Sequence, residues 1–84
     1  MDNQRLSVKG LGLAFGLVWS LSVLFIGLLA WLFAWGMPVV EILGTVYIGY
    51  EASLIGVIIG AVWGFVDGFI GGVIFAWIYN YFAS

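Results

Sequence analysis

The stretch Gly56-Val-Ile-Ile-Gly60-Ala-Val-Trp-Gly64-Phe-Val-Asp67-Gly68-Phe-Ile-Gly71-Gly72 places a glycine at every fourth position and encloses a single carboxylate. In water such a run works against a helix, since each interior glycine costs about 0.8–1.0 kcal/mol relative to alanine. In hydrocarbon it becomes a contact surface. Small residues four apart form a ridge that lets another helix come close, and strict four-residue spacing favours a right-handed crossing. Gly56, Gly60, Gly64, Gly68 and Gly72 therefore predict a membrane helix with one closely packed face. Outward from this ladder the apolar run extends from Ser53 to Tyr79, broken only by Asp67. It is too long and too poor in alternation for the strands of an outer-membrane barrel.

Composition agrees. Of 84 residues, 65% are hydrophobic and 7% charged, with a mean hydropathy of +1.26. Ordinary soluble domains hold about 45–50% apolar residues, so this excess must face something other than water, and the lipid bilayer is the expected partner. Cysteine and histidine are both absent, which removes disulfides, thiolate nucleophiles, imidazole bases and the usual ligands of zinc, haem and iron–sulfur groups. No metal, no cofactor and no enzymatic activity are expected. The net charge of −2 rests on two basic and four acidic residues, leaving no basic patch for nucleic acid.

Before the ladder, residues 11–35 carry no charge and form a first span, roughly 37 Å long as a helix and so longer than a hydrocarbon core of about 30 Å. A cleaved signal peptide fits less well, because its apolar region runs to only about 7–15 residues and a small-residue cleavage site is missing. The predicted fold is all-α, a hairpin of two transmembrane helices assembled as a homo-oligomer. Residues 1–10 form a cytoplasmic segment, 11–35 the first helix, 36–52 an external loop, 53–79 the second helix and 80–84 a cytoplasmic end. Gly36 and Pro38 stop the first helix. A short interfacial helix is expected from Val39 to Tyr47, with Val39, Ile42, Leu43 and Val46 on its apolar side and Glu41 and Thr45 opposite.

The only cations, Arg5 and Lys9, precede the first span, whereas the connection carries Glu41 and Glu51. The positive-inside rule then puts both termini in the cytoplasm, in the inner or sole cytoplasmic membrane. Trp31, Trp35, Tyr47 and Tyr50 are expected to form the outer aromatic belt, with Trp77, Tyr79 and Tyr81 forming the inner one. Trp19 and Trp63 lie too near the span centres for either belt and should pack against helices, face lipid tails or line a cavity.

Gly12, Gly16 and Ser20 give the first helix a shorter small-residue ridge. Two such ridges exceed what one hairpin can use, so further copies of the chain, or a larger membrane complex, are expected as partners; glycines that pack the hairpin alone are the other reading. Asp67 falls near the middle of the second span. Its insertion costs about 2.5–3.5 kcal/mol, against about 0.3–0.6 kcal/mol returned by each Leu, Ile, Phe or Val. With fourteen of those between Leu54 and Ile78, the helix inserts regardless. The carboxylate still needs a donor, a proton or water. In an antiparallel hairpin Ser20 and Ser22 reach its depth, which makes a serine hydrogen bond one reading; a ring of Asp67 side chains around a water-filled path is the other.

The segment Gly60-Ala-Val-Trp-Gly64-Phe-Val-Asp67-Gly68-Phe-Ile-Gly71-Gly72, with Phe75-Ala-Trp77-Ile-Tyr79-Asn80 after it, resembles a family of very small bacterial and archaeal membrane proteins known as bacteriophage holin or holin-like proteins. The resemblance covers nearly all of the second helix and, more loosely, the two-span plan. It implies a non-enzymatic protein that accumulates in the inner membrane and opens lesions in it, with Asp67 and the glycines as shared motif positions. Two-span holins generally end in a charged tail, whereas this chain has no charge after Asp67. The function expected is a holin-like permeability path built by self-assembly through the glycine ladder. A structural accessory subunit filling a gap in a larger membrane complex is the alternative.

Overall fold

The computed structural model describes residues 5–83; residues 1–4 of the expected N-terminal segment and Ser84 of the expected C-terminal one lie outside the described residues. The chain forms three helices, α1 (Val8–Phe33), α2 (Met37–Gly44) and α3 (Leu54–Ala83), with no strand among the described residues. Helices α1 and α3 run antiparallel along a body 48 Å long. Both are long and apolar enough to cross a bilayer, and only 22% of the most apolar part of each is buried inside the chain. A core helix of a water-soluble protein would be mostly buried, so these two present their apolar surface outward.

Local chemistry sets the helix ends. Ser7 caps α1, its Oγ accepting the Gly10 N–H at 2.9 Å, which satisfies one of the donors a helix start leaves free. This starts α1 three residues ahead of the expected span. At its other end Ala34 adopts a left-handed conformation (φ 59°) and donates its N–H back to Ala30. Gly36 follows with φ 79°, and Pro38 lies in the first turn of α2, where its missing N–H costs nothing. Helix α3 continues past the expected end at Tyr79 as far as Ala83.

The short helix occurs within the connection, shifted two to three residues toward the N-terminus, and with a different packed side. Val40 is buried, with Met37 and Leu43 packed on the same cluster as Tyr47 and Tyr50, whereas Ile42 and Val46 are exposed. The expected apolar side of Val39, Ile42, Leu43 and Val46 is thus corrected to Met37, Val40 and Leu43. Helix α2 covers both the connecting chain, through Tyr47 and Tyr50, and the α1 residues Val23, Ile26 and Ala30 that share its cluster.

The glycine ladder forms the seam of the hairpin. A Cβ on Gly72 would lie 2.5 Å from the Leu11 carbonyl oxygen and 2.9 Å from Gly12 Cα; one on Gly68 would lie 2.6 Å from the Phe15 oxygen and 2.9 Å from Gly16 Cα. At Gly64 the nearest neighbours are Val23 at 3.2 Å and Ser20 Cα at 3.3 Å. Gly12, Gly16 and Ser20 of α1 thus meet Gly72, Gly68 and Gly64 of α3 in register. Ser20 fixes that register by donating its hydroxyl to the Ala61 carbonyl at 2.8 Å, a cross-helix bond of the kind apolar spans use. The two upper rungs take a different partner. Gly60 makes room for the Tyr50 ring, and Gly56 for the Glu51 backbone.

Every rung is therefore filled by the chain itself, through α1, Tyr50 or Glu51. Such close packing leaves no ladder face to receive a second copy.

Candidate functional site

Residues 45–53, between α2 and α3, do not cross over the top of the hairpin but turn back along it. Glu51 lies against Gly56, Gly49 against Ile59, and the Tyr47 ring stacks on Trp63 with centroids 5.9 Å apart and planes 3° from parallel. Trp63 is nine residues into α3, about 13 Å along its axis. Tyr47 and Tyr50 are only 3% and 4% exposed, so neither joins an outer aromatic belt. Sequence distance from the helix ends suggested the belt, but both rings point into the hairpin. Trp31, Trp35, Trp77, Tyr79 and Tyr81 are exposed at or near the helix ends.

The inward turn carries the Tyr47 hydroxyl to Asp67. Trp19 Nε1 donates to the Tyr47 oxygen at 2.8 Å, and Tyr47 donates to Asp67 Oδ2 at 2.5 Å. Direction along this chain follows from chemistry. An indole N–H can only donate, so the phenol oxygen accepts from it and its one proton is directed to the carboxylate. Three segments of the chain thus converge: α1 supplies Trp19, the connection Tyr47, and α3 Asp67. Trp63 steadies the middle member through the ring stack, and its own N–H bonds the Ile48 carbonyl at 3.0 Å. Tyr50 fixes the loop from the other side, its hydroxyl donating to the Val23 carbonyl at 2.7 Å.

Ser20 and Ser22 take no part in this network. Ser20 bonds Ala61, and Ser22 bonds Val18 in its own helix at 2.8 Å; the expected serine partner of Asp67 is replaced by Tyr47. Among the described residues the Tyr47 hydroxyl is the one hydrogen-bond donor to the Asp67 carboxylate. The residue itself is exposed and separates two surface grooves. The larger, about 550 Å³, is lined by Ala14, Phe15, Val18, Trp19, Asp67, Gly68 and Gly71; the smaller, about 190 Å³, runs past Val46, Trp63, Val66 and Ile70. No group of three or more metal-binding side chains occurs among the described residues.

Sequence reasoning placed Tyr47 and Tyr50 in the outer belt rather than against Asp67 and Val23, and gave Asn80 no contact of its own. A signal for the tyrosines was present: Asp67, Trp19 and Trp63 are three mid-span polar groups, each requiring a partner. Gly27 was a second one, since a Cβ there would lie 3.0 Å from the Tyr50 ring. Asn80 closes the far end by accepting the Leu6 N–H at 2.7 Å and donating to the Leu6 carbonyl at 2.9 Å.

The class defined by this fold is an all-helical hairpin of two apolar helices with a polar chain of indole, phenol and carboxylate at its middle. No protein-family model matches the chain, and no curated protein or solved structure matches it either.

Proposed function

We propose that the protein is a holin-like small integral membrane protein, both termini cytoplasmic, whose copies gather around Asp67 and form a permeability path across the cytoplasmic membrane. The observation that carries this reading is the exposed Asp67 carboxylate, halfway along a helix long enough to span a bilayer and bonded to a single hydroxyl. A carboxylate with most of its acceptor sites open is costly in hydrocarbon. Several copies facing one another across a water-filled path would hydrate it. The Tyr47 and Trp19 bonds serve such a path by fixing which way the carboxylate points. Self-association of this kind uses the Asp67 face, because the glycine ladder is occupied within each hairpin.

Liposomes holding the purified protein, loaded with a small dye and a large dextran, test the reading. Release of both indicates holin-type lesions, and release of the dye alone indicates a narrow path. Asp67→Asn should reduce release while the protein remains inserted. Retention of both probes by well-inserted protein overturns the proposal in favour of an accessory subunit. Unchanged release from an Asp67→Asn variant that has lost its oligomer removes Asp67 from the path.

A further inference from the structure

The larger groove beside Asp67 has one feature, the open space over Gly71, that hairpin packing does not require. Its volume of about 550 Å³ falls within the range of roughly 300–1,000 Å³ typical of small-molecule sites. Its floor is Ala14, Gly68 and Gly71. Gly68 is needed at the seam, but Gly71 is not: a Cβ there would meet nothing within 4 Å. A glycine in open space gives up helix propensity without serving a contact, and here its missing side chain keeps the groove open. The walls are apolar and aromatic, with Phe15, Val18 and Trp19 40%, 64% and 41% exposed. Asp67 is part of the same lining.

This lining selects by charge. A neutral or anionic apolar molecule would cover the walls and leave the carboxylate under-bonded, which is unfavourable where water is excluded. A molecule with an apolar body and one positive charge satisfies both parts. Its body covers Phe15 and Val18, and its charge meets Asp67. The Trp19 N–H is already committed to Tyr47, but its ring face remains available, and indole is the side chain with the strongest cation–π attraction. The Tyr47 bond holds the carboxylate in place from the opposite side, so a ligand arrives at a site already arranged. We infer that the groove between α1 and α3 is a binding site for lipophilic organic cations, with Asp67 as counter-ion and the Trp19 and Phe15 rings as walls.

Binding of tetraphenylphosphonium to the detergent-solubilised full chain, followed by equilibrium dialysis, tests this separately from permeability, since the site lies within one hairpin. Saturable binding is expected. Asp67→Asn should weaken it roughly tenfold or more, the equivalent of about 1.4 kcal/mol. Gly71→Leu, which fills the groove but leaves the seam, Tyr47 and Asp67 in place, should weaken it to a similar degree. Tetraphenylborate, matched in shape and opposite in charge, should show no Asp67-dependent binding. Absence of saturable binding overturns the inference, as does equal, Asp67-dependent binding of the borate. Unchanged affinity in Gly71→Leu also overturns it, because the cation would then lie outside this groove. If Asp67→Asn fails to fold, the Gly71→Leu result decides alone.

Discussion

Gly71 and Gly72 are adjacent on α3, yet alanine should have opposite effects at the two positions. At Gly72 the new methyl would stand 2.5 Å from the Leu11 carbonyl oxygen, about 0.9 Å inside the 3.4 Å at which ordinary contact begins. The obstacle is backbone on both sides, Leu11 and Gly12, so no rotamer change can relieve it, and the helices must separate. Separation loosens neighbouring rungs and strains the Ser20–Ala61 bond, and overpacking of this kind costs about 1–3 kcal/mol. At Gly71 the methyl meets nothing, and the helix gains up to about 0.8–1.0 kcal/mol of propensity. The two variants should therefore differ by about 2–4 kcal/mol. Reversible unfolding in mixed micelles of increasing dodecyl sulfate fraction, followed by tryptophan emission, measures the difference. Gly68→Ala should behave like Gly72→Ala, since its methyl would meet the Phe15 oxygen at 2.6 Å. Gly64→Ala should cost less, because its nearest neighbour is a Val23 methyl at 3.2 Å. Equal stabilities for Gly71→Ala and Gly72→Ala would refute the assignment of the ladder to the hairpin seam.

Three further outcomes follow from the hydrogen bonds. Tyr47→Phe keeps the stack on Trp63 but strips the Trp19 N–H and the Asp67 carboxylate of their shared partner; a loss of about 1–3 kcal/mol is expected in the same micelle titration, and under about 0.3 kcal/mol would contradict it. Ser20→Ala should cost about 0.6 kcal/mol through loss of its cross-helix bond while Ser22→Ala costs less, and the reverse order would contradict the register of α1 against α3. Asn80→Ala removes both bonds to Leu6, so faster amide exchange at the start of α1, with little change near Asp67, should be seen by hydrogen-exchange mass spectrometry.

The two long helices were legible in the sequence because apolar length alone specifies them. The ladder was legible as a close contact, but its partner was not. Four-residue glycine spacing says that something approaches the helix axis, and a neighbouring copy, α1 or a loop would each leave the same trace. In this chain Gly64, Gly68 and Gly72 receive α1, while Gly56 and Gly60 receive the connection. The inference from two glycine ridges to several copies of the chain therefore fails at its first step, since one hairpin and its own loop use both ridges. Tyr47 and Tyr50 escape a sequence reading for a related reason. Distance along the chain equals distance along the membrane normal for a straight connection, and not for one that turns inward. Gly49, with φ 96°, lies at the bend that makes the inward turn.

Such a turn is demanding in an apolar setting, because every loop N–H and carbonyl that leaves water needs a partner. The connection meets part of this demand locally. Tyr47 N–H bonds the Leu43 carbonyl at 2.7 Å, Tyr50 N–H bonds the Tyr47 carbonyl at 3.0 Å, and Ile48, whose carbonyl has no backbone donor among the described residues, receives the Trp63 indole. Trp63 therefore does two things at once, capping the loop backbone with its N–H and stacking on Tyr47 with its ring. Both depend on its position one turn before Asp67. The consequence is mechanical. The partner of the mid-helix carboxylate comes from the segment that continues into Glu51, so a displacement of the connection at the hairpin's end moves the Tyr47 hydroxyl relative to Asp67. Trp63→Phe separates the two roles, since it retains an aromatic stack but leaves the Ile48 carbonyl open. If the loop backbone is the element that holds Tyr47 in place, this variant should loosen the loop nearly as much as Trp63→Ala does, read as faster amide exchange at Tyr47 and Tyr50, whose N–H groups are bonded. Full protection in Trp63→Phe would instead assign the hold to ring stacking alone.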